Sequence, residues 1–143
     1  MKPKVLFLCT GNSARSQMAE GFLRHFAGEQ FEVLSAGTNP GTLNPLAVQA
    51  MAELGIDISR QTSKNVTQFL RVPIQSVVTV CDNAKESCPV FAGAGRLLHW
   101  SFEDPAAAGG TNEEKLAVFR KIRDQIEARI KQEFCKMGAT HDR

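Results

Sequence analysis

The chain alternates between short apolar runs and segments whose apolar residues recur every three or four positions. The runs predict strands over residues 4–9, 31–36, 76–81 and 96–100. The periodic segments predict helices over residues 13–28, 45–54 and 113–134, with a short helix over 63–70. This alternation favours a single catalytic domain over residues 1–143, an α/β sandwich around a mainly parallel sheet, with residues 136–143 as a flexible tail.

Composition and charge narrow the range of partners. Hydrophobic residues make up 43% of the chain, and 17 lysines and arginines face 15 acidic residues. That near balance argues against nucleic-acid binding, and no apolar stretch is long enough to cross a membrane. The N-terminal residues show no signal-peptide pattern. We therefore expect a cytoplasmic monomer that binds neither nucleic acid nor membrane.

The chain has four cysteines, Cys9, Cys81, Cys88 and Cys135. In a reducing cytosol, cysteines are more often catalytic, metal-binding or buried than bridged. Cys9 and Cys81 each end a predicted strand, and ligands of α/β sheets bind beyond the carboxyl ends of strands. The six residues between Cys81 and Cys88 do not match zinc-ligand spacing, so we predict no metal and no cofactor. Cys135 is given no role.

The segment CTGNSARS, residues 9–16, joins the first strand to the first helix and predicts an oxyanion-binding loop. Gly11 and Asn12 permit the unusual dihedrals of a loop that turns its N–H groups inward, and the helix adds its positive end. Arg15 can hold two anion oxygens with its planar fork. The same field would stabilise a thiolate on Cys9, a candidate nucleophile. The predicted oxyanion-binding residues are Thr10, Gly11, Asn12, Ser13, Ala14, Arg15 and Ser16, and Ser13 or Ser16 could also donate to the sulfur.

The sequence pattern also allows purely structural interpretations of these residues. Cys9 could be a buried thiol that ends a strand, with Arg15 on the helix surface. Cys81 and Cys88 could be a pair of buried thiols. Cys88, however, lies in a polar segment, where a thiol is open to oxidation.

CTGNSARS resembles the phosphate-binding loop of the low-molecular-weight protein tyrosine phosphatase fold. The segments QMAEG, SAGT, NP, DIS, VVTVC and HWSFEDP resemble its thioredoxin-coupled arsenate reductase branch. The resemblance covers nearly the whole chain. It implies a three-layer α/β/α sandwich with a four-stranded parallel sheet. It also implies Cys9 as nucleophile, Arg15 as anion clamp and Asp104 as general acid, with Glu103 as a chemical alternative to Asp104.

The resemblance further implies a substrate and a reductant. Arsenate would be reduced to arsenite, with phosphate or sulfate as competing oxyanions. Three thiols would act in turn, Cys9, then Cys81, then Cys88, and thioredoxin would regenerate them. Thioredoxin, mycothiol and glutaredoxin leave no mark in the chain by which to choose between them.

Some members of this family bind potassium beside the loop, through counterparts of Asn12, Glu20 and Ser35 and an acidic group at the position of Lys64. A lysine ammonium can itself occupy the place of the cation. We therefore predict no potassium dependence. Asn12, Glu20, Ser35 and Lys64 would then support the loop.

Two other functions remain as alternatives. A tyrosine phosphatase would hydrolyse phosphate monoesters through a phospho-enzyme on Cys9, but the chain contains no tyrosine, and three alanines follow Asp104-Pro105. A small cup without aromatic walls suits an inorganic oxyanion better than an aryl phosphate. A non-catalytic oxyanion-binding or redox-sensing module would require an inactive Cys9.

Overall fold

The computed structural model describes residues 2–81 and 94–135. Four strands form one parallel sheet, as predicted, and their order in it is β2-β1-β3-β4. They are β1 (Lys4–Cys9), β2 (Glu32–Gly37), β3 (Ile74–Thr79) and β4 (Ala94–His99). Because all four run in the same direction, their carboxyl ends share one edge of the sheet, and Cys9 lies there beside Gly37.

Three α-helices occupy the described ranges: α1 (Arg15–Ala27), α2 (Pro45–Ala52) and α3 (Asn112–Phe134). The Asn44 side chain caps α2 by accepting the Leu46 N–H, with Pro45 at the first helical position. A capping box between Thr111 and Glu114 begins α3. The first helix packs on β1, β2 and α3, and α2 packs on α3.

Several element boundaries differ from those predicted. The second helix ends at Ala52 rather than at residue 54. The turn that follows ends at Gly55, which has a φ of 78°. The segment 63–70 forms only a short 3₁₀ helix, Val66–Phe69, behind an Asn65 cap. β3 begins at Ile74 and ends at Thr79, so Cys81 lies two residues beyond the strand. A second 3₁₀ helix, Pro105–Ala107, lies between β4 and the last helix, where no element was predicted.

The predicted apolar stripe of the last helix is buried against the rest of the fold, at Leu116, Phe119, Ile122, Ile126, Ile130 and Phe134. Its last member, Phe134, lies among Phe7, Phe31 and Trp100, with ring centroids 5.6–6.2 Å away. Phe26 on the first helix is 37% exposed, and its ring stacks on Phe22 and lies 5.0 Å from the Lys131 ammonium. Within the described ranges, no helix has the length and apolarity needed to cross a membrane.

Candidate active site

The predicted oxyanion loop, residues 9–16, connects the carboxyl end of β1 to the first turn of α1. Asn12 has φ of 48°, a left-handed conformation that asparagine tolerates better than most residues. Three loop carbonyls, those of Thr10, Gly11 and Ser13, accept hydrogen bonds from backbone N–H groups in residues 39–44. With its carbonyls held on that side, the loop leaves N–H groups and the start of α1 to an anion.

The Cys9 thiol is 2% exposed and has two hydrogen-bond partners in the loop. The Asn12 backbone N–H donates to Sγ at 3.2 Å, and Ser16 Oγ lies 2.8 Å from Sγ. Ser16 Oγ also accepts from Asn12 Nδ2 at 2.9 Å, so its own proton is available to the sulfur. The Asn12 N–H and the Ser16 hydroxyl are thus both positioned to donate to the sulfur, which suits a sulfur that acts as a nucleophile. Of the two serines considered for this role, Ser16 makes the contact, whereas the Ser13 carbonyl binds the Asn44 N–H.

Arg15 is fixed above this end of the sheet rather than free on the helix surface. Its side chain is 14% exposed. Its Nη1 donates to the Phe102 carbonyl at 3.0 Å, and its Nη2 lies 3.7 Å from Asp104 Oδ2. The guanidinium is therefore oriented by the loop after β4, which rules out the surface interpretation of this residue.

Asp104 and Glu103, the two candidate acids, face different partners. Asp104 is 48% exposed, and its Oδ1 accepts the Ala106 N–H at 3.0 Å, which leaves Oδ2 on the side of Arg15. Glu103 is 79% exposed and lies 3.8 Å from the Lys121 ammonium on α3. Asp104 is thus the acid that faces the Arg15 guanidinium.

A second thiol lies at the oxyanion loop. Cys81 is buried, and its Sγ is 3.5 Å from Thr10 Oγ1. A cavity of about 390 Å³, the thiol-site cavity, is lined by Thr10, Arg15, Cys81, Ser101, Phe102, Glu103 and Asp104. The structure therefore brings Cys81 to the loop, while Cys88 lies outside the described residues. Burial raises the pKa of the half-buried Cys135 thiol, which does not suit a nucleophile.

Asn12 is the centre of the hydrogen bonds that hold the loop. Its Nδ2 donates to Ser35 Oγ at 2.9 Å as well as to Ser16, and its Oδ1 accepts the Lys64 backbone N–H at 2.8 Å. Ser35 Oγ in turn donates to Glu20 Oε1 at 2.5 Å, and Glu20 forms an ion pair with Arg24. The four predicted support residues are therefore in one network, with Lys64 joining through its backbone.

Two members of this network were missed by the sequence analysis. Gln17 Nε2 donates to the Asn12 carbonyl at 2.9 Å, and Ser63 Oγ donates to the same oxygen at 2.7 Å. Gln17 directly follows the oxyanion loop and begins the QMAEG segment, and both are local signals that could have drawn attention to it. The bond from Ser63 spans 51 residues of sequence and has no local signal.

The Lys64 ammonium acts on the network through charge rather than contact. Its Nζ donates to the Thr62 carbonyl, 2.5 Å away. Burial lowers the pKa of Lys64 from its ordinary value of 10.5, the Glu20 carboxylate opposes that shift, and the Arg24 charge adds to it. No cluster of three or more histidine, cysteine or acidic side chains suited to a metal ion occurs among the residues that the structure describes.

Comparison with known proteins shows the family of this chain. The model of the low molecular weight phosphotyrosine protein phosphatases matches residues 4–141. The chain belongs to this family. An arsenate reductase of Halalkalibacterium halodurans is 51% identical over 130 residues, which cover 91% of this chain and 94% of that protein.

Solved structures agree with this membership. An arsenate reductase in the phosphate-binding state has a TM-score of 0.81 and 34% identity, and the match covers 95% of this chain and 98% of that one. A thioredoxin-dependent arsenate reductase from Corynebacterium glutamicum has a TM-score of 0.70 and 28% identity. That match covers 98% of this chain and 64% of that one. These three similar proteins are all arsenate reductases.

Substitution of Ser35 with alanine is expected to lower the free energy of unfolding by about 2–3 kcal/mol. It removes the donor to the buried Glu20 carboxylate and the acceptor of Asn12 Nδ2. Ser63→Ala is the matched control, since the Asn12 carbonyl keeps Gln17 as a donor, and a loss of about 1 kcal/mol or less is expected. Urea unfolding measures both, and equal losses would contradict the central role of Ser35.

Gly37 packs against the backbone of the oxyanion loop, where there is no room for a side chain. A Cβ on Gly37 would lie 2.5 Å from the Thr10 carbonyl oxygen and 3.0 Å from the Asn12 nitrogen, so Gly37→Ala must displace loop backbone. We expect phosphate affinity to fall about tenfold to a hundredfold, because small displacements of binding groups are costly. Gly41→Ala, with nothing within 4 Å of the new Cβ, should bind phosphate as the wild type does. Calorimetric titration with phosphate checks both variants, and equal affinities would be inconsistent with this packing.

Proposed function

We propose that this protein reduces arsenate to arsenite through Cys9, Cys81 and Cys88, with thioredoxin as the reductant. The observation that carries the proposal is the buried Cys81 thiol beside Thr10 of the oxyanion loop. Hydrolysis of a phosphate ester uses a single nucleophilic thiol, whereas reduction of an oxyanion needs a second thiol within reach of the first.

The first step forms a covalent bond between Cys9 and arsenic. The loop N–H groups and the Arg15 fork hold the oxygens of arsenate, and the Cys9 thiolate attacks the arsenic atom. One oxygen leaves as water after protonation, for which the half-exposed Asp104 carboxyl, 3.7 Å from Arg15, is the proposed acid. Arsenic remains in the +5 state in this adduct.

The next steps transfer two electrons. Cys81 attacks the Cys9 sulfur, so that an S–S bond forms and the S–As bond breaks. The electron pair of that bond stays on arsenic, which leaves as arsenite in the +3 state. Cys88 then attacks Cys81, releases the Cys9 thiolate and forms a second disulfide. The thioredoxin dithiol reduces that disulfide by the same exchange chemistry.

The choice of arsenate and thioredoxin is supported by the relatives. The protein from H. halodurans is named an arsenate reductase, and the one from C. glutamicum is thioredoxin-dependent. The phosphate-binding state of a third reductase supports phosphate as a competing oxyanion. The chain contains no tyrosine, so the thiol-site cavity lacks the tyrosine walls expected for an aryl phosphate, and Phe102 is the aromatic member of its described lining.

Consumption of NADPH in the presence of thioredoxin and thioredoxin reductase, with and without arsenate, tests the proposal. We expect consumption that depends on arsenate and that is lost in Cys81→Ser and Cys88→Ser. Cys135→Ser is the matched control and should turn over normally. The Cys81→Ser protein keeps Cys9 and the oxyanion loop, so it should still form a phospho-enzyme on Cys9. It should therefore hydrolyse p-nitrophenyl phosphate as well as the wild type does.

The contrary result is equally specific. If arsenate causes no NADPH consumption, and aryl phosphate hydrolysis is unaffected by both substitutions, the protein is a phosphatase. The later cysteines are then bystanders to catalysis.

Turnover is expected to be the same in potassium and sodium chloride at equal ionic strength. The reason is the Lys64 ammonium, whose charge already acts on Glu20 next to Ser35 and Asn12. Steady-state rates in the two salts check this, and a severalfold stimulation by potassium would contradict it. We further infer that the protein works in the cytoplasm as a monomer.

A further inference from the structure

A second cavity, the distal cavity, lies between α1 and residues 55–64. Its volume is about 530 Å³, larger than that of the thiol-site cavity, and the two share no lining residue. It falls within the usual size range of small-molecule sites. Its charged lining residues are Glu20, Arg24, His25, Asp57, Arg60 and Lys64.

Both acidic residues of the distal cavity already have partners. Glu20 accepts from Ser35 and forms an ion pair with Arg24. Asp57 Oδ1 accepts the Ser59 N–H at 2.9 Å, and the hydrogen bonds from Ser59 hold the pKa of Asp57 below its ordinary value. These carboxylates therefore have little need of an added cation.

Two of the cationic residues, Arg60 and Lys64, have fewer hydrogen-bond and ion-pair partners than these carboxylates. Within the part of the chain that the structure describes, Arg60 is exposed and makes no hydrogen bond and no ion pair, although its charge acts on the Asp57 carboxylate. The Lys64 ammonium has one hydrogen bond, to the neutral Thr62 carbonyl, and it is partly desolvated. The half-buried Lys64 ammonium, which no carboxylate of the described residues contacts, is the cation of this cavity that gains most from a bound anion. Arg24 differs, because Glu20, Gln61 and the Val33 carbonyl use its donors.

We propose that the distal cavity binds a small multivalent oxyanion that carries two or more phosphate groups, held by Arg60 and Lys64. Three lysine and arginine side chains line the cavity against two carboxylates, so an anion meets a net positive wall even with His25 neutral. The planar fork of Arg60 and the compact ammonium of Lys64 are both donors suited to phosphate oxygens. The volume of about 530 Å³ leaves room for a ligand longer than one tetrahedral group.

Such a ligand would adjoin the support network of the oxyanion loop. Glu20 lines the distal cavity and accepts from Ser35, which is joined through Asn12 and Ser16 to the Cys9 sulfur. The proposal does not depend on arsenate reduction, since it requires only the charges and donors of this cavity.

Calorimetric titration of the reduced full-length protein with inorganic pyrophosphate tests the proposal. Pyrophosphate can also occupy the oxyanion loop, so the titration is made on Arg15→Gln, in which the loop has lost its clamp. We expect this variant to bind pyrophosphate at one site. Adding Arg60→Gln should weaken that binding at least about tenfold, since a charge-assisted bidentate contact is lost. Arg71→Gln in the same background removes an exposed arginine outside the cavity and should leave the affinity unchanged.

Two results would overturn the proposal. One is a complete loss of pyrophosphate binding in Arg15→Gln alone, which would assign all binding to the oxyanion loop. The other is an equal effect of Arg60→Gln and Arg71→Gln, which would show attraction to overall charge rather than to a site. Circular dichroism of each variant confirms that the fold is retained.

Discussion

Cys9→Ser is expected to abolish arsenate-dependent NADPH oxidation, with a loss of roughly a thousandfold or more. A serine hydroxyl in the same hydrogen bonds from Asn12 and Ser16 is a much weaker nucleophile than the thiolate. It also cannot form the disulfide with Cys81 that releases arsenite. The coupled thioredoxin assay measures the loss, and phosphate titration shows whether the cup still binds an oxyanion.

The matched control for this variant is Cys135→Ser, which removes a half-buried thiol at the end of α3 and should keep wild-type turnover. Cys9→Ser with full turnover would refute both the reductase and the phosphatase mechanisms. Phosphate affinity close to that of the wild type would localise the defect to chemistry rather than to binding.

Arg15→Lys is expected to lower kcat/KM for arsenate by about 10²–10³-fold. Arg15 donates one hydrogen bond to the Phe102 carbonyl. This bond fixes the plane of the guanidinium and leaves its other N–H groups for the anion. A lysine keeps the positive charge, but its one ammonium group on a flexible stem cannot both donate to the Phe102 carbonyl and hold two anion oxygens.

Steady-state kinetics with arsenate check this prediction, with Arg71→Lys as the exposed control. A loss of less than about fivefold would mean that charge alone, without the planar fork, accounts for the contribution of Arg15. A loss confined to KM would mean that the clamp binds the substrate and the transition state equally.

The elements that could be predicted from the sequence are those with a local cause. The strand over residues 4–9 has the predicted bounds because an apolar run meets the turn residues of the oxyanion loop. The last helix follows from the periodicity of its buried stripe, and only its start differs, at Asn112 rather than Glu113. The Thr111–Glu114 capping box was present in the sequence as a Thr-x-x-Glu pattern and would have given the correct start.

The parts of the site that could not be predicted depend on contacts across the chain. The bond from Arg15 to the Phe102 carbonyl spans 87 residues. Likewise, no local pattern indicates that a side chain on Gly37 would strike the Thr10 carbonyl. Cys9, Arg15 and Asp104 were proposed from motif and resemblance, whereas the distal cavity exists only once α1 and residues 55–64 have packed together.

The network around Asn12 has a consequence for the order in which the protein becomes reactive. Its partners lie 4, 5, 23, 51 and 52 residues along the chain, at Ser16, Gln17, Ser35, Ser63 and Lys64. Contacts of such separation form only after the intervening chain has been ordered. During synthesis, Cys9 therefore leaves the ribosome long before the residues that complete its loop. Until they arrive, Cys9 lies on a loop that its distant partners do not yet hold, so the site around this thiol is completed only as the chain folds.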